Sequence, residues 1–136
     1  MREVEVSQFV AATLPQLDRH LSPATVLGYE GTFAVEAVTE TDDGWLVTAS
    51  AGGMDAAFTF EALEHGYGYR QRGEQGPFEV METRLTYERE REGSIVTARS
   101  TVSLGLPVPA LTDRVAAWKR RGELERALSA LADDVA

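Results

Sequence analysis

Residues 76–107 read GPFEVMETRLTYEREREGSIVTARSTVSLGLP, and along most of this stretch apolar or small side chains alternate with polar ones. A period of two is typical of a strand with one buried face, so the stretch predicts strands at 78–90 and 95–106. The glycine turn Glu92-Gly93 is short enough to make them antiparallel neighbours. Farther on, residues 116–135 read AAWKRRGELERALSALADDV, which has helical spacing. A long hairpin followed by a long helix therefore decides the fold.

Four more strands are predicted upstream of this hairpin, and short segments containing glycine separate them. They cover residues 29–40, 45–51, 54–63 and 67–72. Asp43-Gly44 is the clearest hairpin turn, and Gly52-Gly53 and His65-Gly66 are two others. Turns this short make consecutive strands antiparallel neighbours. The longer strands are expected to bend or to carry bulges.

The N-terminal part predicts one strand and two short helices. Valines alternate with polar residues over the first ten positions, which is the strand pattern. Thr13 can cap the first helix, and Ser22 followed by Pro23 provides an N-cap and a first helical position for the second. Gly28 is predicted to end that second helix.

The C-terminal helix carries two apolar stripes. The first contains Leu111, Val115 and Trp118, and the second contains Leu124, Leu128, Leu131 and Val135. At about 100° per residue the stripes differ in direction by more than a third of a turn. The change falls near Gly122, the poorest helix former of the segment. We predict one long helix that bends there or changes the face with which it packs.

The predicted order is strand, two short helices, six strands and one long helix. A curved antiparallel sheet with one buried face needs a cover, and only the last helix is long enough to supply it. The sequence therefore predicts an α+β fold, in which a seven-stranded curved antiparallel sheet grips the C-terminal helix around an apolar cavity. At this length, residues 1–136 are expected to form one domain.

The charge balance narrows the classes of partner. Asp and Glu number 22 against 13 Lys and Arg, and the net charge is −9. Such a chain repels nucleic acid and anionic lipid, so neither is expected as a partner. Lys119 is the only lysine. An acid-rich, lysine-poor surface suits a salt-rich cytoplasm, although a genome of high GC content that encodes Arg and Ala in place of Lys would give the same composition.

Other features of the composition indicate a cytoplasmic protein. No apolar run approaches the ~20 residues that cross a bilayer, so no integral membrane segment is expected. The first ten residues lack the apolar core of a signal peptide. Cysteine is absent, which excludes disulfides, zinc–thiolate sites and thiol nucleophiles.

The order of elements is similar to the helix-grip fold of the START, Bet v 1 and polyketide-cyclase (SRPBCC) superfamily. The likeness covers essentially the whole chain and is most specific in residues 76–107 and 116–135. Those stretches resemble small haloarchaeal members labelled polyketide cyclase/dehydrase or lipid-transport proteins and, more distantly, the G component of carbon monoxide dehydrogenase. The resemblance implies binding or carriage of a hydrophobic or amphipathic small molecule in an internal pocket. A minority of members catalyse cyclisation, dehydration or hydrolysis, so an enzyme is the alternative.

Side chains alternate between the two faces of a strand, so the positions of the apolar residues predict which face of each strand points inward. Ala37 falls on the predicted inward face, together with the residues that follow. The side chains expected to line the core or cavity are Phe33, Val35, Val47, Phe58, Phe60, Tyr67, Tyr69, Met81, Thr83, Leu85, Tyr87, Ser100 and Val102 from the strands, with Leu111, Val115 and Trp118 from the helix. The hydroxyl groups in this set could orient a bound molecule. In the competing interpretation the core is filled, and the phenols reach backbone carbonyls or water.

No convincing catalytic set is present, and no metal or cofactor is predicted. His20 and His65 lie on a helix end and in a hairpin turn, without the HxxH or HExxH spacing of zinc ligands. No G-x-S-x-G elbow supports a nucleophilic serine. Both histidines are expected at the surface, outside the cavity wall.

Charged side chains are assigned mainly to solvated faces. Glu82 and Arg84 share parity with Arg70 and Arg72, which predicts a cross-strand charge ladder on the convex face. In the opposite strand phase, Glu82 and Arg84 would enter the cavity as an acid–base pair. The helix cluster of Arg114, Lys119, Arg120 and Arg121 is predicted to be a solvated face offset by Glu123 and Glu125. A third function, a protein-interaction module, would require an exposed apolar patch, for which the C-terminal helix is the candidate.

Overall fold

The structure is a computed structural model that describes residues 2–73, 75–103 and 109–135, with side chains described from residue 113 onward in the last range. The strands are β1 (Arg2–Val10), β2 (Ala34–Thr41), β3 (Gly44–Ala51), β4 (Met54–Leu63), β5 (Gly66–Gln71), β6 (Val80–Glu90) and β7 (Gly93–Ser103). The helices are α1 (Leu14–His20), α2 (Pro23–Tyr29) and α3 (Pro109–Val135).

The strands form one antiparallel sheet in the order β1-β7-β6-β5-β4-β3-β2. The predicted α+β helix-grip architecture is confirmed, with two short helices after β1 and a long C-terminal helix packed on β1 and β7. The predicted end of the last strand at Leu106 lies outside the described residues.

The two short helices begin where the sequence predicts. The Thr13 hydroxyl accepts a hydrogen bond from the Gln16 backbone at 3.3 Å, and the Gln16 side chain accepts one from the Thr13 backbone at 2.8 Å. Such a reciprocal pair of hydrogen bonds is called a capping box, and Ser22 and Thr25 form another at the start of α2. Each box satisfies backbone N–H groups that have no partner within the helix, so these caps fix the starting points of both helices.

The end of α2 differs from the prediction. The helix continues past Gly28 to Tyr29, and Glu30 is its C-cap. The glycine that turns the chain is Gly31, whose φ of +77° is unfavourable for residues with a Cβ. As a result β2 begins at Ala34 rather than at residue 29. This shift matters for the site, because it places Glu30 at the inner end of α2.

The β2–β3 hairpin turns one residue earlier than predicted. Thr41 pairs with Gly44, so Asp42 and Asp43 are the two turn residues. A Cβ on Gly44 would lie 1.9 Å from the carbonyl oxygen of Phe60, so the glycine is required by close backbone approach. A bulge between Val35 and Ala37 shifts the register of β2. Ala37 is therefore exposed, and its predicted inward position is wrong.

The packing face of α3 also differs from the prediction. Val115 is 54% exposed and Trp118 is 78% exposed, so the first apolar stripe does not face the sheet. Leu124, Leu128 and Leu131 are buried as predicted. The face that continues their stripe toward the N-terminus consists of Ala116, Arg120 and Glu123. The helix keeps one buried face past Gly122, and the predicted change of face there is wrong.

The core lies between the inner face of the sheet and helices α1, α2 and α3. Phe58 in β4 is fully buried and meets Phe33 edge-on, with ring centroids 5.0 Å apart. Leu17 and Leu27 insert from α1 and α2, and Leu128 inserts from α3. Burying each such side chain contributes about 1.5–3 kcal/mol. Side chains therefore fill much of the space between the inner face of the sheet and the helices.

Candidate functional site

A buried polar network is centred on Arg120, at the point where α3 crosses the sheet. The guanidinium is 0% exposed. Its Nε donates to the Ser100 hydroxyl at 3.1 Å, and Nη2 donates to the Thr83 hydroxyl at 2.8 Å. Ser100 and Thr83 are cross-strand partners whose hydroxyls lie 2.8 Å apart. The small polar side chains of β6 and β7 thus form the sheet side of the network.

Two fully buried carboxylates accept the remaining guanidinium hydrogen bonds. Glu30 pairs with both terminal nitrogens of Arg120, and Nη2 lies 3.0 Å from its Oε2. Glu123, one turn along α3, pairs with Nη1 at 3.3 Å. The hydroxyl of Tyr69 donates to Glu30, and that of Thr32 donates to Glu123 at 2.5 Å. These contacts connect α2, β5, α3 and the loop before β2.

The electrostatics of the network hold its charges fixed. Burial lowers the pKa of Arg120, but the carboxylate of Glu30 and the other acceptors outweigh it, so the pKa is raised above its ordinary value. Burial, followed by the charge of Glu30, raises the pKa of Tyr69 well above its usual range. Near neutral pH the guanidinium stays charged and the phenol stays neutral. The network is therefore suited to holding α2 and α3 on the sheet, and unsuited to proton transfer.

A second polar cluster lies at the edge of the core, where α1 meets β6 and the turn between β4 and β5. The Tyr87 hydroxyl donates to the carboxylate of Asp18. His65 Nδ1 lies 3.7 Å from the same carboxylate, beyond hydrogen-bond distance. The side chains of His65 and Asp18 are both partly exposed. The predicted surface position of His65 is thus only partly correct, and no described hydrogen bond joins it to a serine.

A third cluster ties the ends of the helices together. Tyr29 at the end of α2 donates to Asp134 near the end of α3 at 2.8 Å. The His20 ring stacks on Tyr29, with centroids 6.0 Å apart, and its Nε2 meets the same phenol oxygen. Within the described ranges, no group of three His, Asp or Glu side chains is arranged to hold a metal ion.

The surroundings of the protein's four tyrosines predict that they ionise at higher pH than tyrosine in an unfolded chain. Burial raises the pKa of Tyr29, assisted by Asp134, to about 12. Burial also raises the pKa of Tyr67, Tyr69 and Tyr87. Unfolded tyrosine titrates near pH ~10. The unfolded state therefore loses protons that the native state keeps, so this stabilisation is complete below pH ~10 and declines above it.

Phenolate absorbance measured against pH tests this prediction. The folded protein should show little phenolate at pH ~10, and the signal should rise together with loss of the circular dichroism of the folded state. Tyr29→Phe should remove one of the late-titrating groups. Four phenols titrating near pH ~10 with the native circular dichroism intact would contradict the burial described here.

A cleft of about 300 Å³ opens beside the Arg120 network, at the β3–β4 end of the grip. Its lining residues are Thr32, Ala51, Gly52, Met54, Ala56, Pro77 and Lys119. Ala51 and Ala56 lie on the inner face of the sheet, and their small side chains leave the space. Thr32 belongs both to this cleft and to the buried network, through its bond to Glu123.

A larger groove of about 570 Å³ lies on the outer face of the sheet. Arg70 stands opposite Glu82 across β5 and β6, and both are exposed, as are Arg72 and Arg84. The predicted outward position of these charged side chains is confirmed, and the alternative of an inward Glu82–Arg84 pair is wrong. The groove combines these cations with nearby acids, including Asp43 and Glu61, and is solvated. Trp45 and Leu46 contribute apolar lining, but charged side chains surround them.

The predicted lining residues fall into three groups. Those that are buried on the inner face are Phe33, Val47, Phe58, Phe60, Tyr69, Met81, Thr83, Leu85, Tyr87, Ser100 and Val102. Val35 and Tyr67 are partly buried. Val115 and Trp118 face solvent, and the side chain of Leu111 lies outside the described residues. None of this set lines the cleft of about 300 Å³.

Sequence reasoning misses the residues that matter most in this region. It predicts a solvated helix face for Arg120 and Glu123, but both are buried. Extending the stripe of Leu124, Leu128 and Leu131 backward by one helical turn would have placed them inward. For Glu30 and for the small residues of the cleft, the sequence carries no comparable signal, because their positions depend on how distant elements meet.

Comparison with solved structures establishes the fold. XoxI from Bacillus cereus matches with a TM-score of 0.77 at 14% identity, over 99% of this chain and 96% of that one. A START superfamily protein from Mycobacterium smegmatis matches with a TM-score of 0.72 at 15% identity, over 98% and 99%. The di-domain ARO/CYC BexL from the BE-7585A biosynthetic pathway matches with a TM-score of 0.62 at 13% identity, over 93% of this chain and 48% of that one.

The chain therefore has a START/Bet v 1-like helix-grip fold, as the sequence predicts. No protein-family model matches it, and no curated protein sequence is significantly similar. Among the described residues, none of the helices is both long and apolar enough to span a membrane.

Proposed function

We propose that the protein binds and carries a hydrophobic or amphipathic small molecule, and that the cleft beside Lys119 is where the molecule sits. The observation that carries the proposal is the chemistry of the cleft. Ala51, Met54, Ala56 and Pro77 supply apolar walls, and Thr32 supplies a hydroxyl. A few polar groups on a mostly apolar concave surface are the usual features of a small-molecule site.

The size and charge of the cleft indicate the kind of ligand. Its volume of about 300 Å³ is at the lower end of the range for ligand pockets. Lys119 supplies a cationic group at the rim, which favours a molecule with an anionic or strongly polar end. Met54 is 50% exposed, and its unbranched thioether side chain can adapt to different apolar shapes.

Two further observations support binding over catalysis. The buried network holds its protons and charges in fixed places, and the Glu82–Arg84 pair faces outward. The solved neighbours include both a START superfamily protein and an ARO/CYC protein, so the fold by itself favours neither binding nor catalysis. We propose further that residues 1–136 act as one binding domain in the cytoplasm.

Titration with the fluorescent probe anilinonaphthalene sulfonate tests the cleft, because its fluorescence rises in apolar surroundings. Wild-type protein should bind it, and Ala51→Phe should weaken binding by about tenfold or more, since the larger side chain fills an apolar cleft. Ala51 is half-buried, so the added ring can enter the cleft at modest folding cost.

Ala62→Phe is the matched control, because it makes the same change at an exposed position of β4 outside the cleft. It should leave probe binding unchanged. Wild-type protein that does not bind the probe, or Ala51→Phe that binds as tightly as wild type, would overturn the proposal.

A further inference from the structure

A patch on α3 combines exposed apolar and cationic side chains. We call Arg114, Val115, Trp118, Lys119 and Arg121 the α3 patch. All five are exposed, and Trp118 is 78% exposed. Trp118 and Val115 are neighbours on the helix surface, with the cations on either side of them.

The patch is locally cationic on a chain whose net charge is −9. Residues 114–122 contain no acid, and the acids that flank them, Asp113 and Glu123, are buried. Glu123 therefore does not offset these cations, contrary to the sequence-based prediction, and Glu125 is the nearest exposed acid along the helix. Neither Arg114 nor Lys119 takes part in an ion pair in the part of the chain that the structure describes.

We infer that the α3 patch docks the protein on an anionic lipid surface. Tryptophan favours the boundary between water and lipid, where its ring is buried and its N–H stays hydrated. Lysine and arginine beside it attract anionic headgroups while their stems pack against apolar material. An exposed helix face with a tryptophan among cations therefore has the composition of an interfacial membrane contact.

The overall negative charge does not exclude this contact. Charges more than about 8 Å away are screened at physiological ionic strength, and the attraction of basic residues also acts within that distance. The acidic remainder of the surface limits docking to the one orientation in which α3 faces the lipid. A second copy is a poorer occupant, because two acidic proteins repel each other over the rest of their surfaces.

The position of the patch gives the docking a use, and this inference rests on the proposed function. Lys119 belongs both to the α3 patch and to the rim of the cleft. Docking through α3 therefore places the cleft entrance, with the exposed Met54, close to the lipid surface. A carrier could then collect or deliver an apolar molecule without passing it through water.

Vesicle co-sedimentation tests the inference. The full chain should bind vesicles of equal parts phosphatidylcholine and phosphatidylglycerol, with Trp118 fluorescence shifted to shorter wavelength, and should not bind phosphatidylcholine alone. Arg114→Glu/Lys119→Glu should reduce binding by about tenfold or more, and added salt should have the same effect. Trp118→Ala should remove the fluorescence shift that accompanies binding.

Arg72→Glu/Arg89→Glu is the control, because it makes the same change in net charge at exposed positions outside the patch. It should bind the mixed vesicles like wild type. Equal binding to both vesicle types, equal loss in both double variants, or a dimer that Trp118→Ala dissociates would overturn the inference. Probe binding in the cleft is measured separately on wild-type protein. Wild-type protein that binds the probe but not the mixed vesicles refutes the inference and leaves the proposed function standing.

Discussion

Replacing Arg120 with leucine should lower the free energy of unfolding by about 3–5 kcal/mol. The change leaves Glu30 and Glu123 buried without a cation. It also removes the hydrogen bonds that the Thr83 and Ser100 hydroxyls accept from Arg120. A buried carboxylate without its partner keeps its desolvation cost, which is why loss of one member of such a network is so damaging. Urea denaturation followed by circular dichroism measures the effect.

Two further variants make the Arg120 result specific. Arg121→Leu removes an exposed neighbour of the same type and should change stability by less than about 0.5 kcal/mol. Adding Glu30→Gln and Glu123→Gln to Arg120→Leu should restore part of the loss, because the unpaired charges are then gone. An Arg120→Leu protein as stable as wild type would mean that the guanidinium is not buried as described.

Leu128→Ala should cost about 2–5 kcal/mol, whereas Trp118→Ala should cost less than about 0.5 kcal/mol. Leu128 is 1% exposed and packs in the core, while the larger Trp118 side chain faces solvent. Size alone would predict the opposite order, so the comparison isolates the orientation of α3. Thermal and urea unfolding of both variants measure the difference. A greater loss from Trp118→Ala would restore the packing face suggested by the two apolar stripes and contradict the one described here.

Local signals in the sequence account for most of the fold. Thr13 and Ser22 act within one helical turn, so their caps can be recognised without knowing the rest of the chain. The alternation in residues 76–107 likewise specifies a long hairpin whose inward face is buried as predicted. These features depend on neighbours in sequence, and neighbours in sequence are what a single chain reveals.

The errors share a different cause. Arg120 is charged, and a charge on a helix is normally solvated, so hydropathy alone points Val115 and Trp118 inward. Burial of Arg120 becomes favourable only because Glu30 arrives from α2 and Thr83 and Ser100 arrive from the sheet. That compensation comes from tertiary structure, and the apolar periodicity of α3 does not contain it.

The cleft was beyond prediction for a related reason. The sequence suggests a cavity lined by large aromatic residues, but residues such as Phe58 and Phe60 fill the core. Space remains where side chains are small, at Ala51 and Ala56. Whether an alanine leaves a void depends on the curvature of the sheet and on the approach of Lys119 and Pro77, which are far away in the chain.

Native mass spectrometry of the protein purified from its own cells tests most directly whether the cleft holds a small molecule. Wild-type protein should carry a non-covalent adduct with the mass of a lipid-like or other apolar compound, released on activation, and Ala51→Phe should lose it. Protein that consistently appears at its bare mass, under conditions that preserve the native charge-state distribution, would contradict the proposed binding function.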